Sequence, residues 1–243
     1  GVTPITSEIL EYAARLKILP YCSPSLGMQD FTNSGYFKYD TESYNYIGDA
    51  GAIGPDYLPG HAHCDMMNFE LFAKGSPVIV DTGTSTYEIG ERRQYERSTS
   101  AHNTVQVGSH EQSELWGGFR FGRRAEILER IIGPDFAKTF MKSHKYKHRR
   151  DIQFSENVIL IKDTVDQGSN NEICTARYHF HPDIEVIIEG GTATAGPIKL
   201  LFSDEMPRNI EEYSYAPEFN KLQIATCLEI YFKDCCSVEI SIN

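Results

Sequence analysis

Four side chains that a zinc ion accepts lie in one stretch of this chain, HAHCDMMNFELFAKGSPVIVDTGTSTYEIGERRQYERSTSAHN: His61, His63, Asp81 and His102. An extended strand sends residues i and i+2 to the same face, so the spacing predicts His61 and His63 side by side with Ala62 turned away. NFELF, a KGSP turn and VIV read as two antiparallel strands that return Asp81 to the level of the histidine pair. His102 opens another short β run, HNTVQV, so three ligands on neighbouring strands can converge and leave a fourth position to water or substrate. Asp65 competes with Asp81, because it shares the histidine face if the strand runs on, and the spacing does not choose between them. These spacings are not a zinc-finger or HExxH signature. The plain alternative is a set of histidines that bond backbone carbonyls at strand ends.

The elements that must position these residues are mostly strands. Only the start of the chain predicts a helix of any length. Ser7 is placed to cap EILEYAARLKIL, Ile9, Leu10, Ala13, Leu16 and Ile18 form its apolar face, and Pro20 stops it. Beyond Pro20 come many short β runs, among them SGYFKYD, SYNYIGD, RDIQFSE, NVILIKDTV, EICTARYHFHP, LQIATCLEIYF and SVEISI. They are separated by turn signals such as GSP, SEN, DQGSNN, EGGTATAGP and SDEMPRN. That pattern predicts an all-β chain, a large antiparallel β-sandwich with a short N-terminal helix. SVEISI and RDIQFSE alternate, as a sheet with one wet face requires, whereas NVILI is continuously apolar and suits an interior strand. Nothing marks a domain boundary after about residue 20.

The chain has 243 residues and 40% hydrophobic content, enough for a sizeable core. Its 34 acidic and 23 basic residues give a formal net charge of -11, which argues against nucleic acid as a partner. An anionic ligand would need a local basic cluster: Arg92, Arg93 and Arg97, or Arg120, Arg123 and Arg124, or the run KSHKYKHRR from Lys142 to Arg150. Each of these also reads as ordinary solvated charge. No apolar run is long enough for a transmembrane helix, and no signal peptide stands in these residues. A chain that opens at Gly1 without Met fits a segment of a longer protein. The six cysteines show no framework spacing, and free thiols lean toward a reducing compartment such as the cytoplasm.

The stretches GPDYLPGHAHCDMMNFELF, VIVDTGT, ERRQYERSTSAHNTVQV and QSELWGGFRFGRRAE together resemble the C-terminal β-sandwich domain of the heparinase II/III-like polysaccharide lyases, a superfamily that includes alginate lyases. The similarity runs from about Gly35 to about Arg150 and more faintly to the end. It implies a supersandwich over residues 21–243, preceded at 1–20 by a connector or remnant of an (α/α) toroid domain whose body lies upstream. It further implies a structural zinc on His63, Asp81 and His102, which selects Asp81 over Asp65. His61 matches a residue that reaches into the catalytic cleft, and Tyr87 lies where such lyases place cleft residues.

The implied chemistry is β-elimination on a uronic-acid-containing polysaccharide such as a glycosaminoglycan or alginate. The enzyme must neutralise the carboxylate, remove the C5 proton and protonate the leaving C4 oxygen. Arg92, Arg93 and Arg97 would pair with uronates and Trp116 would stack on a sugar face. The principal catalytic tyrosine and the carboxylate-gripping residues of such lyases belong to the helical domain, so this chain alone should be inactive. The resemblance leaves room for a homodimer and implies a periplasmic or secreted parent. Two other readings compete: a non-catalytic carbohydrate-binding or structural β module, and a zinc hydrolase with an open metal position.

Overall fold

The computed structural model describes residues 6–18, 25–55, 57 and 59–243. Three antiparallel sheets and a small hairpin carry the chain. The first sheet is a five-stranded meander in chain order: Gly27–Phe31, Tyr36–Asp40, Tyr44–Asp49, Phe69–Ala73 and Ser76–Ile79. The second has eight strands, running from Val186–Glu189 at one edge through Cys235–Ile242, Val158–Asp166 and Lys147–Phe154 to Glu126–Ile132 at the other. The third has four, in the order Arg208–Tyr215, Gln223–Phe232, Cys174–His179, Val105–Val107. Glu114–Trp116 and Arg120–Gly122 form the hairpin.

Period-2 patterning explains most of these strands. In Val158–Asp166, Ile159, Ile161, Asp163 and Val165 are buried and the residues between them are not. One core joins the sheets, with the Tyr46 ring in contact with those of Phe37, Phe69 and Phe154, and with Ile161, Leu228 and Val238 in the same core. Backbone bonds stitch the first sheet to the third: Val80 N–H donates to His179 O at 2.9 Å and His181 N–H to Val78 O at 3.0 Å.

Several expectations change. The N-terminal helix spans Thr6–Arg15, so Ser7 lies inside it, and it ends before Pro20, which lies outside the described residues. Its stop is a Schellman turn: Ile18 N–H donates to Ala13 O, Lys17 N–H to Ala14 O, and Lys17 takes φ 56°. Its apolar residues Ile9, Leu10 and Leu16 are exposed. NVILI alternates after all, with Leu160 43% exposed, because only one face of its sheet meets the core. TATA, read as turn, is the strand Thr192–Ala195, and the strands Phe136–Lys142 and Arg208–Tyr215 add to those expected. Cys64, Cys174, Cys227 and Cys236 are buried free thiols and Cys235 an exposed one, while Cys22 lies outside the described residues.

KSHKYKHRR is not one basic surface. Lys142, His144, Lys145 and Lys147 face outward, whereas His148 and Arg150 point into the core. Arg150 meets Asp163 through two bonds, Nε–H to Oδ1 at 2.8 Å and Nη2–H to Oδ2 at 2.9 Å, and His148 Nε2–H donates to the same carboxylate at 2.7 Å. Burial works against the Asp163 carboxylate, but the Arg150 guanidinium and His148 outweigh it and hold its pKa below the usual range. Asp163→Asn leaves a buried guanidinium without its countercharge, so denaturant unfolding should show a loss of about 3–5 kcal/mol. A change under about 1 kcal/mol would mean that the pair holds nothing together.

Candidate functional site

The chain turns where an extended strand was expected. Pro59–His61 form a 3-10 turn, and the residues from Ala62 to Asn68 are loop, so His61 and His63 do not share a strand face. Pro59 and Gly60 are the physical reason, since a proline beside a glycine favours a tight turn over a ladder. The turn sends the two rings to different environments. His61 is exposed and meets the Tyr87 ring edge to face at 5.4 Å between centroids. Tyr87 in turn stacks on Phe119 and Phe219, at 6.5 and 5.7 Å. A cavity of about 480 Å3 opens here, lined by His61, Trp116, Phe119, Arg120 and Phe121 together with Pro59 and Gly60. Trp116 is 54% exposed and Phe119 42%, so aromatic faces are presented to solvent beside a single guanidinium.

His63 turns the other way. Among the described residues, His63, Asp65 and His102 offer ligand atoms that all lie within 4.8 Å of one another. His102 is buried, its Nδ1–H donates to Asp81 Oδ2 at 2.6 Å, and its Nε2 is buried without a protein partner. A carboxylate on one ring nitrogen and a free second nitrogen is the usual posture of a metal-ligating histidine. Asn68 Nδ2 donates to Asp81 Oδ2 at 2.7 Å and Gly83 N–H to Oδ1 at 2.9 Å, which fix that carboxylate. Asp81 thus stands on His102, while Asp65 completes the three-residue group.

The electrostatics of this loop suit a cation. Burial pushes the Asp65 carboxyl up to about 6 and Asp49 up to about 7, with the Asp65 charge adding to the Asp49 shift, and Glu70 likewise rises to about 7 through burial and Asp81. Burial opposes charging of His102, but Asp81 overrides it and raises the ring's pKa. His63 falls to about 3, through burial first and His102 second. Asp65 beside the two imidazoles, with Asp81 bonded to His102, gathers buried carboxylate oxygen that a divalent ion would satisfy. The residues present therefore fit a zinc ion: two imidazole nitrogens and carboxylate oxygen are its ordinary donors.

The short helix Glu91–Glu96 and the residues after it carry the arginines. Arg93 and Arg97 are 1% and 0% exposed and turn inward instead of toward a polymer. Arg97 donates to the carbonyls of Ala62, Gly117 and Arg120 at 3.3, 2.8 and 3.4 Å, with its guanidinium 4.6 Å from the Phe121 ring. Arg92 lines a different cavity, of about 740 Å3, with Tyr95, Arg177, His179, Glu211 and Tyr213 among its walls. Of the four residues expected to touch substrate, Trp116 shares a cavity with His61. Arg120 and Phe119 share it too. Strand alternation in FRF puts Arg120 on the face opposite Phe119 and Phe121, but all three line this one cavity.

The sequence matches the family described as Heparinase II/III-like, C-terminal, over residues 23–240. No curated protein matches it in sequence. In fold the chain is similar to a heparinase III with methylated lysines, at TM-score 0.75 and 19% identity, covering 98% of this chain and 41% of that one. It is also similar to the heparan sulfate lyase HepC from Pedobacter heparinus, at TM-score 0.71 and 15% identity over 97% and 41% of the two chains. A chondroitin AC lyase from Streptomyces coelicolor A3 in complex with chondroitin sulphate gives TM-score 0.55 and 8% identity, over 97% and 35%. At these identities the likeness is one of fold, and the chain spans less than half the length of each.

Zinc titrated into chelator-stripped protein should raise the melting temperature, and His63→Ala and His102→Ala should abolish the rise, because ligands contribute binding free energy to the folded state. Asp65→Asn and Asp81→Asn separate direct ligation from support of His102. Loss of a ligand should remove the response, whereas loss of a supporting carboxylate should weaken affinity about 10–100-fold. A melting curve that ignores zinc in the wild-type protein would remove metal from the account.

Proposed function

The chain belongs to the Heparinase II/III-like, C-terminal family, and from that membership we propose that it is the β-sandwich part of a polysaccharide lyase acting on uronic-acid-containing polysaccharide. The observation that carries the reading is the exposed pair of His61 and Tyr87, set beside an aromatic cavity and joined through Arg93 to a group fit for zinc. Polysaccharide lyase chemistry is β-elimination. The C5 proton leaves to a base, the electron pair forms the C4–C5 double bond, and the C4 oxygen departs with a proton from an acid. An imidazole and a phenol at an open surface are suited to holding and moving those protons. Trp116 and Phe119 offer faces on which a sugar ring stacks, and Arg120 offers a cation for a uronate.

Zinc has a structural part in this proposal. His63 and His102, with Asp81 or Asp65 supplying the carboxylate, would hold it, and its chemistry there is to bind the His63 loop to the sheet. Arg93 and Arg97 act from within, fixing the loops that carry His61 and the hairpin that carries Trp116. Arg92 faces its own cavity and belongs to substrate only if the polymer extends that far.

The reading also holds that the active site is incomplete in these residues. The similar lyases are more than twice as long as the part this chain covers, which supports an N-terminal helical domain supplying the remaining acid or base and the opposite cleft wall. On the same reading the acidic polysaccharide is met in the periplasm or outside the cell. The alternative, a carbohydrate-binding module without catalysis, is separated by experiment.

Residues 1–243 alone should give no unsaturated-uronate absorbance from heparan sulfate, hyaluronan or alginate, while the protein carrying a helical domain upstream should give it. In that longer protein His61→Ala should cut turnover about hundredfold or more, as loss of a proton-transfer or electrostatic group does, with zinc content and melting temperature unchanged. Full turnover by His61→Ala would end the catalytic assignment, and product from residues 1–243 alone would end the claim of incompleteness.

A further inference from the structure

Arg93 sits between the two halves of this site. Its neighbours on the helix Glu91–Glu96 look elsewhere, and the helix's ion pair to Glu96 is made by Arg92. Arg93 instead spends its fork on the loop that holds the histidines. Nη1–H donates to His63 Nε2 at 3.1 Å, and Nη2–H donates to Gly60 O at 3.3 Å, in the 3-10 turn one residue before His61. The guanidinium plane lies 5.0 Å from the Tyr87 ring centroid and 5.9 Å from that of Phe119. At 1% exposure it cannot reach a polymer. Lysine would not replace it, because one ammonium has no planar fork to span two acceptors while stacking on rings.

From this geometry, and resting on the reading of His63 as a metal ligand and His61 as a reactive group, we infer that Arg93 is a positioning residue that couples the metal group to the His61–Tyr87 face. A neutral imidazole has one lone pair, so zinc on His63 takes the lone pair that accepts from Arg93, and the released guanidinium shifts against the turn that aims His61 and the ring against which His61 rests. Zinc on His63 therefore resets the cavity wall formed by Phe119 and Trp116. Arg93 touches no substrate and transfers no proton.

Trp116 is the chain's one tryptophan and lines the same cavity as His61 and Phe119, so its fluorescence reports that wall. In wild-type protein, zinc should change the Trp116 emission with the same midpoint as zinc binding measured by chelator competition. Arg93→Lys and Arg93→Met should bind zinc at least as tightly as wild type, since they remove the donor that competes for His63, yet their emission change should shrink about fivefold or more, as a lost coupling would give. Should the buried substitutions fail to fold, Tyr87→Leu tests the same link from the exposed end, with zinc affinity kept and the Trp116 response lost. An emission response that survives in the Arg93 and Tyr87 variants overturns the coupling. Loss of zinc by the Arg93 variants to the degree of His63→Ala also overturns it, by making Arg93 a part of the metal group itself. Wild-type protein that binds zinc without any Trp116 response refutes the coupling and leaves the metal reading intact, whereas no zinc binding at all refutes the metal reading first.

Discussion

Arg150 is the buried cation on which the arrangement of the three sheets turns. Removing a guanidinium from water costs several kcal/mol even after relaxation, so the position is stable only if every donor is used. Here Asp163 takes two bonds from the neighbouring strand, and the remaining donors of Nη1 go to Met67 O and Asn103 O, both at 2.7 Å. The Phe69 ring lies 5.7 Å from the guanidinium. The eight-stranded sheet thereby grips two loops that belong to the other sheets, and those loops are the ones that carry His63, Asp65 and His102. Met67 is held at φ 63°, an uncommon conformation for an unbranched residue other than glycine, and the bond from Arg150 to its carbonyl is part of what keeps it there.

Asn103 extends that grip. Its side-chain amide donates to Phe69 O and Val80 O, both at 2.9 Å, and its oxygen accepts from the backbone N–H of His179 at 2.7 Å. One amide therefore ties the paired strands that lead to Asp81 to the four-stranded sheet. With Asn68 on Asp81 and Gln112 donating to Met66 O at 2.9 Å, the loop from His63 to Asn68 has its backbone satisfied from outside. A loop so bound can hold Asp65 near Asp81, because its shape does not depend on their mutual repulsion. That is the physical condition for a preformed cation site, in which the ligands are held before the ion arrives.

The sequence showed the sheet architecture because burial on one face leaves a period of two, as in Ile159, Ile161 and Val165. It showed candidate ligand types because three histidines and two aspartates fall between His61 and His102. It did not show the conformation between His61 and His63, where two residues, Pro59 and Gly60, replaced a ladder by a turn. Nor did it show which arginines face solvent. Arg93 and Arg97 answer to the carbonyls of Gly60, Ala62, Gly117 and Arg120, brought to them by chain folding across gaps of twenty residues or more. No periodicity records such partners. TATA failed for a related reason: glycines on either side of a weakly apolar tetrapeptide read as turn, but its pairing with Ile198–Leu201 makes it a strand.

The turn at Pro59–His61 also explains how one short motif can serve two tasks. Had His61 and His63 stayed in a strand, both rings would have pointed inward, and a second imidazole would have joined an already crowded group. The 3-10 turn rotates His61 outward and leaves its ring against Tyr87, while His63 keeps its place among the carboxylates. Around the outward ring, Trp116, Phe119 and Ile89 remain exposed, Ile89 beside Gly118 at the tip of the hairpin. Apolar surface gathered beside a polar reactive pair is more than scattered exposure, and it marks a face suited to receiving a ligand or a covering domain. The interior group sets where that face stands, and the face itself bears the groups that can act, so the proposed division between a structural metal and an open reactive pair follows from a single change in backbone direction.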